Sequence, residues 1–197
     1  MASHFFSLFS RMKNINRWSL MRNSTNESLS QHSLEVAAIS HALAVIGNKR
    51  LNKNYDASKA ALLGMYHDMP EIITGDMPTP VKYYNKDIRR CFGEIEKAAQ
   101  SALLETLPED LRSEYEELII PDEKTELYTL VKAADKISAL IKCIEEKKTG
   151  NIEFEAAQNS TMEAVKKMNC KEADIFIEEF LDSFSLVLDN LLINDRN

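Results

Sequence analysis

The stretch LLGMYHDMPEIITGDMPTP, residues 62–80, decides how the chain folds. Leu62, Leu63, Gly64 and Met65 are an apolar run of the kind that enters a core, yet His67 and Asp68 follow side by side. Glu71 and Asp76 come next, and then Pro78 and Pro80. Asp56 is a good N-cap for a helix over residues 57–68, on which Ala60, Leu63, Gly64 and His67 share a face at helical spacing. That helix would turn an imidazole and its neighbouring carboxylate toward the interior. Ionised groups are costly to bury unless they are paired or bind a metal.

Two further segments carry the same contradiction. In SLSQHSLEVAAISHALAVIGNKR, residues 28–50, His32 lies on one helical face with Leu29, Val36, Ile39, Leu43 and Ile46. In ELYTLVKAADKISALIKCIEE, residues 126–146, Leu127, Val131, Ala134, Ile141 and Ile144 mark a buried stripe with Asp135 at its edge. Each residue alone has a plainer reading. His32 would be a hydrogen-bonded core histidine, and Asp135 would pair with Lys132 or Lys136. Together, two imidazoles and two carboxylates are a sensible set for one divalent transition metal. Mixed N/O ligation without thiolate points to an open, hydrated catalytic site, where a metal lowers the pKa of water. Glu71 is four residues after His67, so it shares that face if the helix continues, and it could then deprotonate the water. Its plainer reading is a solvated carboxylate at a helix end.

The rest of the chain reads as helix. Five glycines and five prolines in 197 residues leave few breakers. Helices are expected at about residues 2–13, 85–107, 108–118, 122–149, 152–168 and 171–193, with Asp122 capping its helix and a Pro-interrupted loop at 76–81. There is no internal repeat, and the length suits one all-helical domain. A net charge of −7 argues against binding a nucleic-acid polymer, though not against one small anion. Cys91, Cys143 and Cys170 are too scattered for a disulfide framework or zinc knuckle and read as reduced cytoplasmic thiols. No apolar run is long enough to span a membrane. The N-terminal MASHFFSLFSRMKNINRW lacks a signal-like apolar region and reads as part of the mature fold.

The ordered set His32, His67-Asp68, Asp135, with intervals of 35 and 67 residues, resembles the signature of HD-domain metal-dependent phosphohydrolases. SHFFSLFSRMKNINRWSLMRN, SQHSLEVAAISHALA, ALLGMYHDMPEIITGDMPTPVKY and LVKAADKISALIKCIEE resemble the bacterial 5′-deoxynucleotidases of that superfamily, up to about residue 185. The resemblance implies a single HD domain over residues 1–197, with a metal-site core at about 28–145 and C-terminal helices at about 152–193. It implies His32, His67, Asp68 and Asp135 as ligands of one divalent cation, with cobalt, manganese, iron and magnesium all compatible. Glu71 would serve the attacking water. Arg17 would orient the phosphate and Trp18 would lie against the sugar. Asp76, Met77, Pro78 and Thr79 would line the nucleotide pocket, with His32, Asp68 and Asp135 also bordering the substrate. Met77 stands where leucine is common. Ser19 stands where proline is common, which is expected to loosen the turn after Trp18.

The expected function is hydrolysis of deoxyribonucleoside 5′-monophosphates, tolerant of the base. An indole beside C2′ would reject a ribose hydroxyl by steric exclusion. Asp76 would either accept from the 3′-hydroxyl or act as a general acid near the phosphate. Other HD-domain activities, on triphosphates or cyclic diesters, call for more positive charge than Arg17, Arg22 and Lys82 supply. A non-catalytic nucleotide-binding protein would be expected to have a broken ligand set, and this set is intact. Phe176, Phe180, Leu181, Phe184, Leu188 and Leu191 exceed one helical stripe, and with the family resemblance they point to a homodimer.

Overall fold

Ser28 starts the helix that carries His32. In the computed structural model of the protein, which describes residues 2–192, Gln31 N–H donates to Ser28 Oγ at 3.3 Å and Ser28 N–H to Gln31 Oε1 at 2.8 Å. This reciprocal capping box satisfies two otherwise unpaired donors and fixes the first turn. In chain order the α-helices among the described residues are α1 (Phe5–Phe9), α2 (Leu29–Arg50), α3 (Ala57–Tyr66), α4 (Glu71–Thr74), α5 (Thr79–Lys82), α6 (Lys86–Glu105), α7 (Glu109–Ile119), α8 (Glu126–Lys148), α9 (Glu155–Lys167), α10 (Lys171–Phe180) and α11 (Leu188–Leu192). The one extended pairing among the described residues is an antiparallel bridge between Asn16 and Ser28.

The centre is a three-helix stack in which α2 packs on α3 and α8, and α3 on α8. Leu29, His32, Val36, Ile39, Leu43 and Ile46 are all buried, so the expected face of α2 is the face in the core. It meets Leu63 of α3 and Leu130, Ile137 and Ile141 of α8, while Val165 of α9 and Phe176 of α10 close the cluster. A second cluster joins Phe5, Met12, Tyr66, Met69, Leu103 and Ile119, and holds the N-terminal segment against α3, α6 and α7.

Gly64 sets the distance between α2 and α3. A Cβ there would stand 2.9 Å from Ala37 Cα, a backbone contact that cannot swing aside. Gly64→Ala is therefore expected to push the two helices apart at a cost of about 1–3 kcal/mol. A thermal melt should show the midpoint falling by roughly 2–12 °C. An unchanged midpoint would mean that the helices separate freely.

Several boundaries differ from the sequence-based expectation for identifiable reasons. The first helix is a short α1 followed by a 3-10 turn over Ser10–Asn14. The third stops at Tyr66, because Pro70 disfavours helical geometry at Met69; turns from Met69 N–H to Tyr66 O and from Glu71 N–H to Asp68 O replace it. The cap of α8 is Thr125, whose Oγ1 accepts from Tyr128 N–H at 3.1 Å, and Asp122 instead accepts from Lys124 N–H. The loop at 76–81 ends in the short helix α5. The last expected helix breaks after Phe180, where the Ser183 and Ser185 hydroxyls donate back to Phe180 O and Asp182 O and compete with the helical pattern. Residues 193–197 lie outside the described part.

Candidate metal centre

Four side chains meet where α2, α3 and α8 converge. His32 comes from the first turn of α2, His67 from the C-cap of α3, Asp68 from the residue after it and Asp135 from the middle of α8. One ligand atom from each lies within 4.8 Å of the others, so the group could hold one cation. His32 Nε2 is 3.1 Å from Asp135 Oδ1 and 3.4 Å from Asp68 Oδ2, and His67 Nε2 is 3.0 Å from Asp68 Oδ2. Asp135 does not pair with a lysine of its own turn; Lys132 turns to Glu123 at 3.3 Å.

The hydrogen bonds behind the imidazoles fix their tautomers. The Ser138 hydroxyl donates to Glu35, so its oxygen accepts from His32 Nδ1–H at 3.0 Å. His67 Nδ1 is 2.7 Å from the Gly64 carbonyl, which can only accept. In the neutral form that can bind a metal, both rings thus carry the proton on Nδ1 and turn the lone pair of Nε2 inward. Both Nε2 atoms are buried without a hydrogen-bond partner. A buried polar atom without a partner is unfavourable, and two facing carboxylates 3 Å away answer to a cation between them.

Charge is concentrated here. Burial and the nearby Arg17 charge oppose the imidazolium of His32, but Asp135, Asp68 and Glu27 outweigh them and raise its pKa. Burial disfavours the Asp135 carboxylate, yet the close approach of His32 pulls it down to about 2, and Asp68 is also held well below the ordinary range, chiefly by the histidines. Glu71 opens α4 behind the Pro70 break, is buried, and has a free Oε2. Burial, with the charges of Asp68 and Asp76, pushes its carboxyl up to about 9. Burial also raises Asp76, although Arg17 opposes the shift.

Arg17 and Trp18 are delivered by a loop anchored at both ends. Arg17 N–H donates to Glu27 O at 2.9 Å and Leu29 N–H to Ile15 O at 2.8 Å, so residues 15–17 lie beside 27–29. Arg17 Nη1 stands 3.4 Å from Asp68 Oδ2, which brings the guanidinium to the metal group. The turn after Trp18 is closed by two hydrogen bonds: Met21 N–H and Asn23 Nδ2–H both donate to Trp18 O, at 2.9 and 3.1 Å. The Trp18 indole packs on Phe154 at 5.2 Å. Met77 and Pro78 are half-buried and Thr79 is exposed. No hydrogen bond ties their side chains to the metal group.

Sequence reasoning missed Glu27, Ser138, Glu35 and Glu146. Ser138 was within reach, three residues after Asp135 and so on the same face of α8. Glu27 precedes the helix cap and belongs to no periodic pattern. Glu146 is buried and accepts from Ser24 N–H, Ser24 Oγ, Asn151 Nδ2 and Lys142, tying the loop that carries Trp18 to the end of α8. Those donors overcome burial and hold its carboxylate well below the ordinary range. A carboxylate with a depressed folded pKa stabilises the fold above its unfolded pKa, about 4.3, and loses that contribution as pH falls toward the folded value. Glu146→Gln should therefore lower the melting midpoint most at neutral pH. Its deficit should shrink below about pH 4; a deficit constant from pH 7 to 3 would contradict the assignment.

An all-helical bundle with this histidine–aspartate group defines an HD-domain phosphohydrolase. A solved HD-domain phosphohydrolase from Listeria innocua superposes with a TM-score of 0.80, at 21% identity over 92% of this chain and 88% of that one. The cyanophage S-2L HD phosphohydrolase DatZ, bound to dA and one catalytic Zn2+ ion, gives a TM-score of 0.64 at 18% identity over 90% of this chain and 96% of that one. Within that class the chain belongs to the YfbR-like 5′-deoxynucleotidase family, whose model matches residues 4–184. A 5′-deoxynucleotidase of Erwinia tasmaniensis is 48% identical over 96% of both chains, and one of Pectobacterium atrosepticum is 46% identical over 96% of both.

Proposed function

We propose that the protein hydrolyses deoxyribonucleoside 5′-monophosphates to deoxyribonucleosides and phosphate, with one divalent cation held by His32, His67, Asp68 and Asp135. The observation that carries this is the pair of buried, partnerless Nε2 atoms facing two carboxylates in a chain of this family. When bound there, a divalent cation supplies positive charge that polarises a phosphoryl oxygen, acidifies water and lowers the pKa of Glu71.

The chain's own groups do the rest. Arg17 offers a planar fork of donors to the phosphoryl oxygens. Glu71 takes the proton of the attacking water. Asp76, its pKa raised by burial, gives a proton to the departing 5′-oxygen. Trp18 stands against C2′ of the sugar, where its bulk excludes a 2′-hydroxyl, and Met77, Pro78 and Thr79 border the nucleotide. Nothing in the sequence offers a base-specific set of donors, so several bases are accepted. Manganese, cobalt, iron and magnesium all suit the N/O ligands.

The limited positive charge near the site favours a monophosphate. Lys82 is committed to Glu96 at 2.7 Å and sits over the Phe92 ring, which leaves Arg17, itself paired with Asp68 and Glu27, as the guanidinium beside the metal group. Self-association as a homodimer belongs to this reading: Phe180, Leu188 and Leu191 remain exposed, while Phe176 and Leu181 are spent in the core. A cytoplasmic role in deoxynucleotide pools is part of it too. No helix among the described residues is long and apolar enough to cross a membrane, and all three cysteines are free. Phosphate release from deoxyadenosine and adenosine 5′-monophosphates, measured side by side with cobalt or manganese, tests the reading. Faster release from the deoxy substrate is expected; no release from either by folded protein would overturn it.

A further inference from the structure

One carboxylate touches three groups of the site. Glu27 Oε2 accepts from the Trp18 indole Nε1 at 2.8 Å and lies 3.6 Å from Arg17 Nε. Its other oxygen, Oε1, lies 3.5 Å from His32 Nδ1. The Glu27 side chain is 12% exposed, so these contacts form largely out of water, where charge-assisted bonds are strong. Its backbone is held as well, since its carbonyl accepts Arg17 N–H and the next residue is the cap of α2.

The indole needs such a support. Trp18 has a φ of +58°, a left-handed conformation that a bulky residue adopts only when its surroundings enforce it. Phe154 packs on the ring, but an aromatic contact leaves the ring free to slide. The Nε1–H bond to Glu27 removes that freedom. Because the same carboxylate abuts His32, the ring is fixed relative to the metal group.

We propose that Glu27 is the positioning residue for sugar selectivity: it holds the Trp18 indole in register with His32, so that the wall beside the sugar stands at a fixed distance from the reacting phosphate. This rests on the nucleotidase reading above. Glu27 acts through Trp18 and is not itself placed on the substrate.

The chain's only tryptophan is Trp18, so its fluorescence reports the support directly, without metal or substrate. In Glu27→Ala, acrylamide quenching should rise. The kcat/KM ratio of deoxyadenosine over adenosine monophosphate should fall about tenfold, the scale of one charge-assisted hydrogen bond. Glu27→Gln keeps an oxygen acceptor for the indole and should restore most of both. In a Trp18→Ala background, Glu27→Ala should lower the ratio no further, because coupled residues are non-additive. An unchanged ratio in active Glu27→Ala, unchanged quenching, or a full additional loss in the double variant would overturn the role of Glu27 alone. Wild-type protein that hydrolyses neither nucleotide would remove the nucleotidase reading and this inference with it.

Discussion

His67→Ala is expected to abolish tight cation binding and lower the rate of phosphate release by at least about 10³-fold, because a cation held there would supply both the Lewis acid and the acidified water. His67 offers an Nε2 whose proton has been placed on Nδ1 by the Gly64 carbonyl, so no neighbouring group takes over the vacated position. The fold should survive, since His67 lies at the C-cap of α3, past its last helical residue. Cobalt titration followed by visible absorption checks the binding, and circular dichroism checks the fold. Undiminished cobalt binding by a folded variant would remove His67 from the ligand set.

Glu71→Gln is the second large effect. The amide keeps the size and one hydrogen-bonding oxygen but cannot take a proton, so kcat should fall by about 10²–10⁴-fold. At neutral pH cobalt affinity should stay near the wild-type value. Removing the group that burial holds at about 9 should also remove the basic limb of metal affinity linked to it. A large loss of cobalt affinity would instead place Glu71 in the ligand shell.

The centre of the fold was legible because its signal is periodic. The six apolar-face residues of α2, His32 among them, recur at helical spacing, and all six are buried. Asp135 stood out because a carboxylate at the edge of an apolar stripe needs a partner, and the structure gives it His32. His67 and Asp68 were legible as inward-facing, but the path to Glu71 was not. Pro70 ends α3 at Tyr66, so Glu71 reaches the site from a new short helix instead of a continued one.

What escaped the sequence is non-periodic. Glu27 acts from a loop, through partners nine, ten and five residues away in the chain. The break after Phe180 depends on serine hydroxyls bonding backward, which propensity alone does not announce. The competition between Asp122 and Thr125 for the start of α8 was decided by which oxygen faces Tyr128 N–H. The C-terminal apolar residues divide between core and surface because the helix breaks among them, leaving Phe176 and Leu181 inside and Phe180, Leu188 and Leu191 outside.

On the proposed reading, His32, His67, Asp68 and Asp135 hold one cation on which hydrolysis depends. The direct test strips the protein with a chelator, returns cobalt in measured steps and follows phosphate release from deoxyadenosine 5′-monophosphate at each step. Release should be absent at the start and rise to a plateau at one cobalt per chain. Full release from the stripped protein, or release that stays flat as cobalt fills the site, would contradict it.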